Sequence, residues 1–281
     1  MMKVTLLGTG SPLPSPTCAG PSTLVQSGGQ NIVVDAGRGV IMRMVAAGCP
    51  PPFLSAVLLT HLHSDHICDL NDIITTRWIS LPAATPIDVY GPVGTQRMVD
   101  GLLAMLSQDE GYRLAHHKDL AAGIGMKVNV IEVQPGDSFT IGEVSVSVHR
   151  TDHQPVSPTV GYRFEHEGVV AALAGDTVPC DSLDEMCNGA DIYVQTVIRD
   201  DLVLQFAPLI PTGERFTDIL DYHSTVQQAA QTAARAGVKT LLLTHFVPAI
   251  QPGQEAEWHA LAAEHFGGEI VIGPDLTSVE K

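Results

Sequence analysis

The segment Thr60-His61-Leu62-His63-Ser64-Asp65-His66 places four side chains of metal-ligating type in one short loop, directly after the apolar run Ala56-Val57-Leu58-Leu59. His61 and His63 are one residue apart, so on extended backbone their imidazoles project to the same side and can close on one cation. Asp65 and His66 follow as the chain leaves the strand and offer ligands to a second cation close by. Mixed imidazole and carboxylate ligation suits zinc, with manganese and iron as alternatives. A polar loop with scattered histidines is the bland reading. It is disfavoured because donor groups seldom crowd one loop without a cation to neutralise them.

Two cations need more ligands than one loop holds, and three later residues occupy the same kind of place. His153 follows the strand-like run ending at Val148, Asp176 follows Val169-Val170-Ala171-Ala172-Leu173-Ala174-Gly175, and His245 follows Leu241-Leu242-Leu243-Thr244. Gly175 permits a tight turn, and the Asp176 carboxylate could bridge two cations. Each residue alone would more often be structural. The shared design of apolar strand then ligand makes them a set.

The elements that must position these groups read as strands at 4–7, 31–35, 56–60, 87–90, 127–133, 143–149, 160–165, 169–174, 191–195 and 240–244. Helical spacing runs over 38–47, 93–107, 225–236 and 254–265, with Ser224 or Thr225 opening the third and Gly237 closing it. Gly8-Thr9-Gly10-Ser11-Pro12 and the Pro/Ser-rich stretch after it read as a loop joining the first two strands. Residues 107–119 lack clean periodicity and are expected to form a loop or lid beside the site, carrying His116 and His117 as exposed or packed rather than ligating groups. Strands mixed with helices, and ligand candidates at strand ends, indicate an α/β protein with its site along one sheet edge.

The chain has 281 residues, 44% hydrophobic and 16% charged, enough to bury a large core as one domain spanning 1–281. The opening apolar stretch is too short for a signal sequence and no later run approaches a membrane span, so a cytoplasmic protein is expected. Five cysteines without a repeated spacing argue against a disulfide framework. Cys68, near the histidine loop, is expected in the core or behind the ligands. Fifteen basic against 31 acidic residues give a formal charge of −16, and no basic cluster is visible. A long polyanion would be repelled by such a surface, which disfavours nucleic acid as a partner and favours a small anionic ester.

The chain resembles the metallo-β-lactamase fold superfamily, and within it the branch of ribonuclease Z-like phosphodiesterases and arylsulfatases. The pieces that carry the resemblance are Leu7-Gly8-Thr9-Gly10-Ser11-Pro12, Val34-Asp35-Ala36-Gly37, the Thr60 to His66 loop, Gly161-Tyr162-Arg163, Gly175-Asp176-Thr177, His223-Ser224-Thr225 and Leu243-Thr244-His245-Phe246, spread in the family's order over nearly the whole chain. The resemblance implies a four-layer αββα sandwich, a homodimer, and two zinc ions at one edge. It implies that His61, His63, His153 and Asp176 hold one ion, and that Asp65, His66, Asp176 and His245 hold the other. Asp35 matches the acidic residue that orients ligands by hydrogen bonds, and His223 matches a group expected to protonate or hydrogen-bond the leaving oxygen. The resemblance also sets two departures in relief. The long basic arm of ribonucleases Z that mature transfer RNA, between the equivalents of His153 and Asp176, is replaced here by a hairpin-length interval. Where the family often reads His-Glu-Ala-Thr, this chain reads Tyr193-Val194-Gln195-Thr196, which leaves the orientation of His223 open.

The chemistry expected of such a site is hydrolysis of an ester by a metal-bridging hydroxide, with Asp65 positioning the nucleophile and its proton. Lowering the pKa of a water from 15.7 to about 7 stabilises hydroxide by about 12 kcal/mol. A phosphodiesterase leads. An aryl- or alkylsulfatase, transfer RNA 3′ processing, lactone or β-lactam hydrolysis, and a non-catalytic metal-binding protein follow as alternatives.

Overall fold

The computed structural model describes residues 1–81, 85–121, 123, 125–251 and 253–281. Fourteen strands form two seven-stranded sheets. In chain order they are β1 (Met2–Gly8), β2 (Ser22–Ser27), β3 (Gln30–Val34), β4 (Ala56–Leu58), β5 (Ile87–Gly91), β6 (Val128–Glu132), β7 (Ser138–Ile141), β8 (Val144–Arg150), β9 (Val160–His166), β10 (Val169–Leu173), β11 (Ile192–Ile198), β12 (Thr240–Val247), β13 (Glu269–Val271) and β14 (Ser278–Glu280). The first sheet runs β14-β1-β2-β3-β4-β5-β6 and the second β13-β12-β11-β10-β9-β8-β7.

The sheets face each other across one apolar layer, to which Leu6, Val25, Ile32 and Leu58 come from the first sheet and Val148, Phe164, Leu173 and Leu242 from the second. The outer face of the first sheet buries Val33, Val57 and Val89 against helices Val40–Ala46, Leu70–Ser80 and Thr95–His116. The second sheet buries Ala172, Tyr193, Leu241 and Leu243 against Asp181–Cys187, Val226–Arg235 and Glu255–Ala263. The result is the helix-sheet-sheet-helix sandwich. Strands β11 and β12 are buried along their whole lengths, as expected of parallel strands covered on both faces.

Topology explains why the ligand candidates share one edge. β3, β4, β5 and β6 are parallel neighbours, as are β10, β11, β12 and β13. β8 and β10 are each antiparallel to β9, so they run in the same direction as each other. The chain therefore leaves β8, β10 and β12 at the same end of the second sheet. Val160 N–H donates to the Thr60 carbonyl at 3.0 Å, joining that end to the histidine loop of the first sheet.

Several local expectations change. Residues 107–116 belong to the helix Thr95–His116, and Lys118–Ala121 is a further helical turn, so this stretch is not the loop expected. An Asp109–Arg113 ion pair one turn apart, 2.8 Å, and packing of Leu106 and Leu114 under the first sheet extend the helix past its broken periodicity. The joining loop ends earlier than expected, because Ser22–Ser27 is a strand paired on both sides. Thr225 caps the helix Val226–Arg235 through a reciprocal capping box with Gln228, and Gly237 follows with φ +66°. Cys68 is exposed rather than packed, and all five cysteines are free thiols. Among the described residues no helix is long and apolar enough to cross a membrane.

Candidate active site

The Thr60–His66 loop leaves β4 and turns at His63 into the short helix Ser64–Ile67, which carries Asp65 and His66 inward. Asp35, the residue after β3, organises this loop from behind. One carboxylate oxygen accepts from Thr60 N–H at 2.8 Å; the other accepts from the Thr60 hydroxyl and His66 Nδ1, each at 2.8 Å. Asp35 does this from a left-handed backbone conformation, φ +62°, which for a non-glycine residue costs of order 1–3 kcal/mol and is retained where surrounding structure dictates it. His245 occupies the same region, φ +52°.

The second sheet supplies its groups one loop at a time. Gly175 (φ +67°) turns against Thr60, and a Cβ there would lie 2.8 Å from Thr60 Cβ, so the close approach that brings Asp176 to the histidine loop requires glycine. The loops are tied to one another: Thr177 Oγ1 accepts from Asp152 N–H at 2.9 Å, and Ser224 Oγ donates to the Thr177 carbonyl at 2.7 Å. Phe246 N–H donates to the Thr9 carbonyl at 3.1 Å, fixing the chain just beyond His245.

His61, His63, His153 and Asp176 converge so that one donor atom from each lies within 4.8 Å of the others, and Asp65, His66 and His245 form a second such group. Asp176 joins them, its Oδ2 standing 3.4 Å from His66 Nε2 and 3.6 Å from His245 Nε2. All seven residues expected as ligands are thus brought to one centre, and Asp176, His223 and His245 form a third such group within it. His223 points into the same centre, Nε2 3.2 Å from Asp176 Oδ2, while its Nδ1 donates to the Ile219 carbonyl at 3.0 Å. His116 and His117 are exposed and outside both groups, as expected.

The donor chemistry fits divalent cations. Nδ1 of His61 is 3.0 Å from Thr60 Oγ1, whose own proton goes to Asp35, so the imidazole is the donor there. Nδ1 of His153 donates to the Tyr222 carbonyl at 2.7 Å. With Nδ1 of His61 and His153 so engaged, each presents Nε2 as a bare lone pair, and Nδ1 of His66 is likewise committed to Asp35. His61 Nε2 and His63 Nδ1 lie 3.0 Å apart, an arrangement of ring nitrogens that a shared cation would satisfy. His66 Nε2 and Asp176 Oδ1 are buried with no hydrogen-bond partner among the described residues, and a buried carboxylate oxygen left bare is costly unless something positive meets it.

Burial, assisted by the neighbouring imidazole of His66, holds His61 well below its ordinary pKa, and burial pushes His153 down to about 4. These imidazoles are neutral at pH 7, the form that ligates metal. Burial alone would also lower His66, but the Asp176 and Asp35 carboxylates outweigh it and raise it well above the ordinary value. Asp176 is drawn well below the usual carboxylate range, its burial being overcome by His245 and His66. The centre thus buries an ionised carboxylate among imidazoles, the donor chemistry of a divalent-cation site.

Sequence reasoning missed what orients the two outlying histidines. Ile219 and Tyr222 act through their carbonyls, which no side-chain pattern announces. Val194 stands where the family has its carboxylate and is buried in the inter-sheet core, while the next two residues, Gln195 and Thr196, donate to the Gly175 carbonyl at 3.3 and 2.9 Å and so brace the turn before Asp176.

The chain is similar to several known proteins. The beta-lactamase superfamily domain is matched over residues 30–246. Ribonuclease Z of Mycobacterium marinum is 53% identical over 282 residues, covering 100% of this chain and 99% of the relative. Among solved structures, the metallo-β-lactamase fold protein YhfI of Bacillus subtilis superposes with TM-score 0.76 at 22% identity, covering 100% of this chain and 99% of the other. Human tRNase Z, short form, does so with TM-score 0.71 at 22% identity, covering 99% and 98%. These findings correct one expectation. Nucleic acid was disfavoured by the charge of −16 and the hairpin-length interval, here β9–β10, yet a relative of essentially the same length, with no room for a long extra arm, is named a ribonuclease. Net charge sums the whole surface, whereas a polyanion meets the local field, and bound cations would reverse that field at this centre. The chain belongs to the metallo-β-lactamase superfamily and is a metal-dependent phosphodiesterase of the ribonuclease Z-like kind.

Proposed function

We propose that this phosphodiesterase cleaves RNA, with precursor transfer RNA as its substrate class, using two zinc ions held by the two ligand groups that share Asp176. The observation that carries the reading is the position of His223. Its Nε2 lies 3.2 Å from Asp176 Oδ2 and its Nδ1 is engaged by a carbonyl, so one nitrogen faces the reaction centre with a fixed tautomer. A relative sharing 53% of its residues along the whole chain, and named ribonuclease Z, supports the choice of RNA over other phosphodiesters.

In this reading His61, His63, His153 and Asp176 hold one ion, and Asp65, His66, Asp176 and His245 the other. When bound, the ions supply a water acidified enough to act as nucleophile at neutral pH and take up charge on the phosphoryl oxygens. Asp65, buried and 3.4 Å from His245 Nε2, positions that water and its proton. His223, once its Nε2 also carries a proton, gives that proton to the leaving oxygen, and the Ile219 carbonyl keeps Nδ1–H engaged and the ring aimed while the proton moves. Asp35 keeps His66 and Thr60 in register. The residues 1–281 act as one cytoplasmic domain, paired as the homodimer that the resemblance implies.

The test compares initial rates of zinc- and manganese-loaded protein on a precursor transfer RNA, on bis(p-nitrophenyl) phosphate and on p-nitrophenyl sulfate, with a chelated control. Metal-dependent cleavage of the RNA at a single position is the expected result. Turnover of the nitrophenyl diester with intact RNA would overturn the RNA substrate, and preference for the sulfate would move the assignment to a sulfatase.

A further inference from the structure

Between β11 and His223 the chain makes an excursion of short helices, Asp200–Phe206, Ala207–Leu209, Gly213–Asp218 and Ile219–Asp221. It packs on a small apolar cluster of its own, separate from the three large ones. Ile198, Val203 and Val247 are buried there, and Phe216, Ile219 and Leu220 lie against them. The last turn ends in two main-chain acceptors: the Ile219 carbonyl takes His223 Nδ1–H at 3.0 Å, and the Tyr222 carbonyl takes His153 Nδ1–H at 2.7 Å. Where the family has a carboxylate on β11 this chain has Val194, so these main-chain acceptors are the partners that His223 and His153 find.

We propose that this satellite cluster is the positioning device for His223: Phe216 and Leu220 hold the Ile219–Asp221 turn, whose Ile219 carbonyl engages Nδ1–H and thereby aims Nε2 at the centre. The inference rests on His223 acting as the acid of the proposed reaction. A side-chain carboxylate could reorient with its own rotamers, whereas a main-chain carbonyl is only as well placed as the turn that carries it. Packing beneath the turn therefore becomes part of the catalytic geometry, although Phe216 and Leu220 touch neither ligand nor substrate.

The leaving group makes the proposal testable. Protonation is needed when an alkoxide departs from RNA and much less when p-nitrophenolate departs, so loss of the acid should show selectively on the poorer leaving group. Phe216→Ala in the metal-loaded enzyme is expected to lower kcat on precursor RNA about 10-fold, a part of the roughly 10²–10⁴-fold that a positioned acid supplies and that misaiming would only partly forfeit, while lowering kcat on bis(p-nitrophenyl) phosphate by much less. Phe216→Leu should restore most of the RNA rate, and Phe216→Ala in a His223→Ala background should cost nothing further. Equal losses on both substrates, or additive losses in the double variant, would overturn the proposal. If Phe216→Ala fails to fold, Leu220→Ala carries the same comparison. Should the wild-type enzyme leave RNA intact, the RNA reading falls on its own, and diphenyl phosphate replaces RNA as the diester with the poorer leaving group.

Discussion

The two sheets build the same centre by opposite means. The first delivers His61, His63, Asp65 and His66 from one loop, backed by a single carboxylate, Asp35. The second delivers His153, Asp176, His223 and His245 from four separate loops, each held by a neighbour's backbone or hydroxyl group. Local sequence dictates the first half. The second exists only once β8, β10, β11 and β12 have been aligned, so its precision is a property of the fold.

The sharpest break in this comparison is at Asp176, where the halves meet. Asp176→Ala is expected to remove on the order of 10³-fold or more of kcat, consistent with the several kcal/mol that a bound cation contributes, with metal content per chain falling as well. Near-normal turnover at full metal content would separate the halves. His223→Ala should cost roughly 10²–10⁴-fold on RNA with metal content retained, which distinguishes a proton donor from a ligand. Asp35→Asn tests the contiguous half: metal affinity measured by competition with a chelator should weaken about 10–100-fold, and a wild-type value would mean that the loop holds itself. Chelating the intact protein should lower Tm, because ions bound at 1,000 times their dissociation constant add about 4 kcal/mol, and an unchanged melting curve would count against ligation by these groups.

The smallest effect lies at the far end of the second sheet. Burial would raise the Asp191 pKa, but the Lys239 ammonium at 2.6 Å and Val170 N–H at 2.8 Å lower it instead. A carboxylate depressed on folding contributes stability above its unfolded pKa, and that contribution is lost as pH falls through the folded value. Asp191→Asn should therefore flatten the acid side of the Tm-against-pH curve. Lys239 is 69% exposed, so the pair is screened and its contribution is about 1 kcal/mol or less. Turnover should be unaffected, and a change would show that the strand's two ends are coupled.

The contrast between the halves also decides what could be read before the fold was known. The His61–His66 loop is legible because its chemistry is contiguous, and Asp176 and His245 because an apolar run ends at each. His223 has no such run before it and is visible only through the His-Ser-Thr pattern. The carbonyl partners of His153 and His223 leave no mark on the sequence. Among the elements, β2 was hidden because Ser22, Thr23, Gln26 and Ser27 break the apolar signal of a strand that sits between two others. The helix through residue 116 was hidden because Gly111 and exposed polar residues interrupt its face, leaving tertiary packing to extend it.

Asp35 and His245 hold left-handed backbone that glycine or asparagine would adopt with less strain. A population of this gene selected for heat tolerance alone would be drawn toward those replacements, trading the centre for a more relaxed chain. Persistence of aspartate and histidine at these two positions across a lineage would then record continuing demand for turnover, while their loss would mark a branch in which the scaffold has outlived its chemistry.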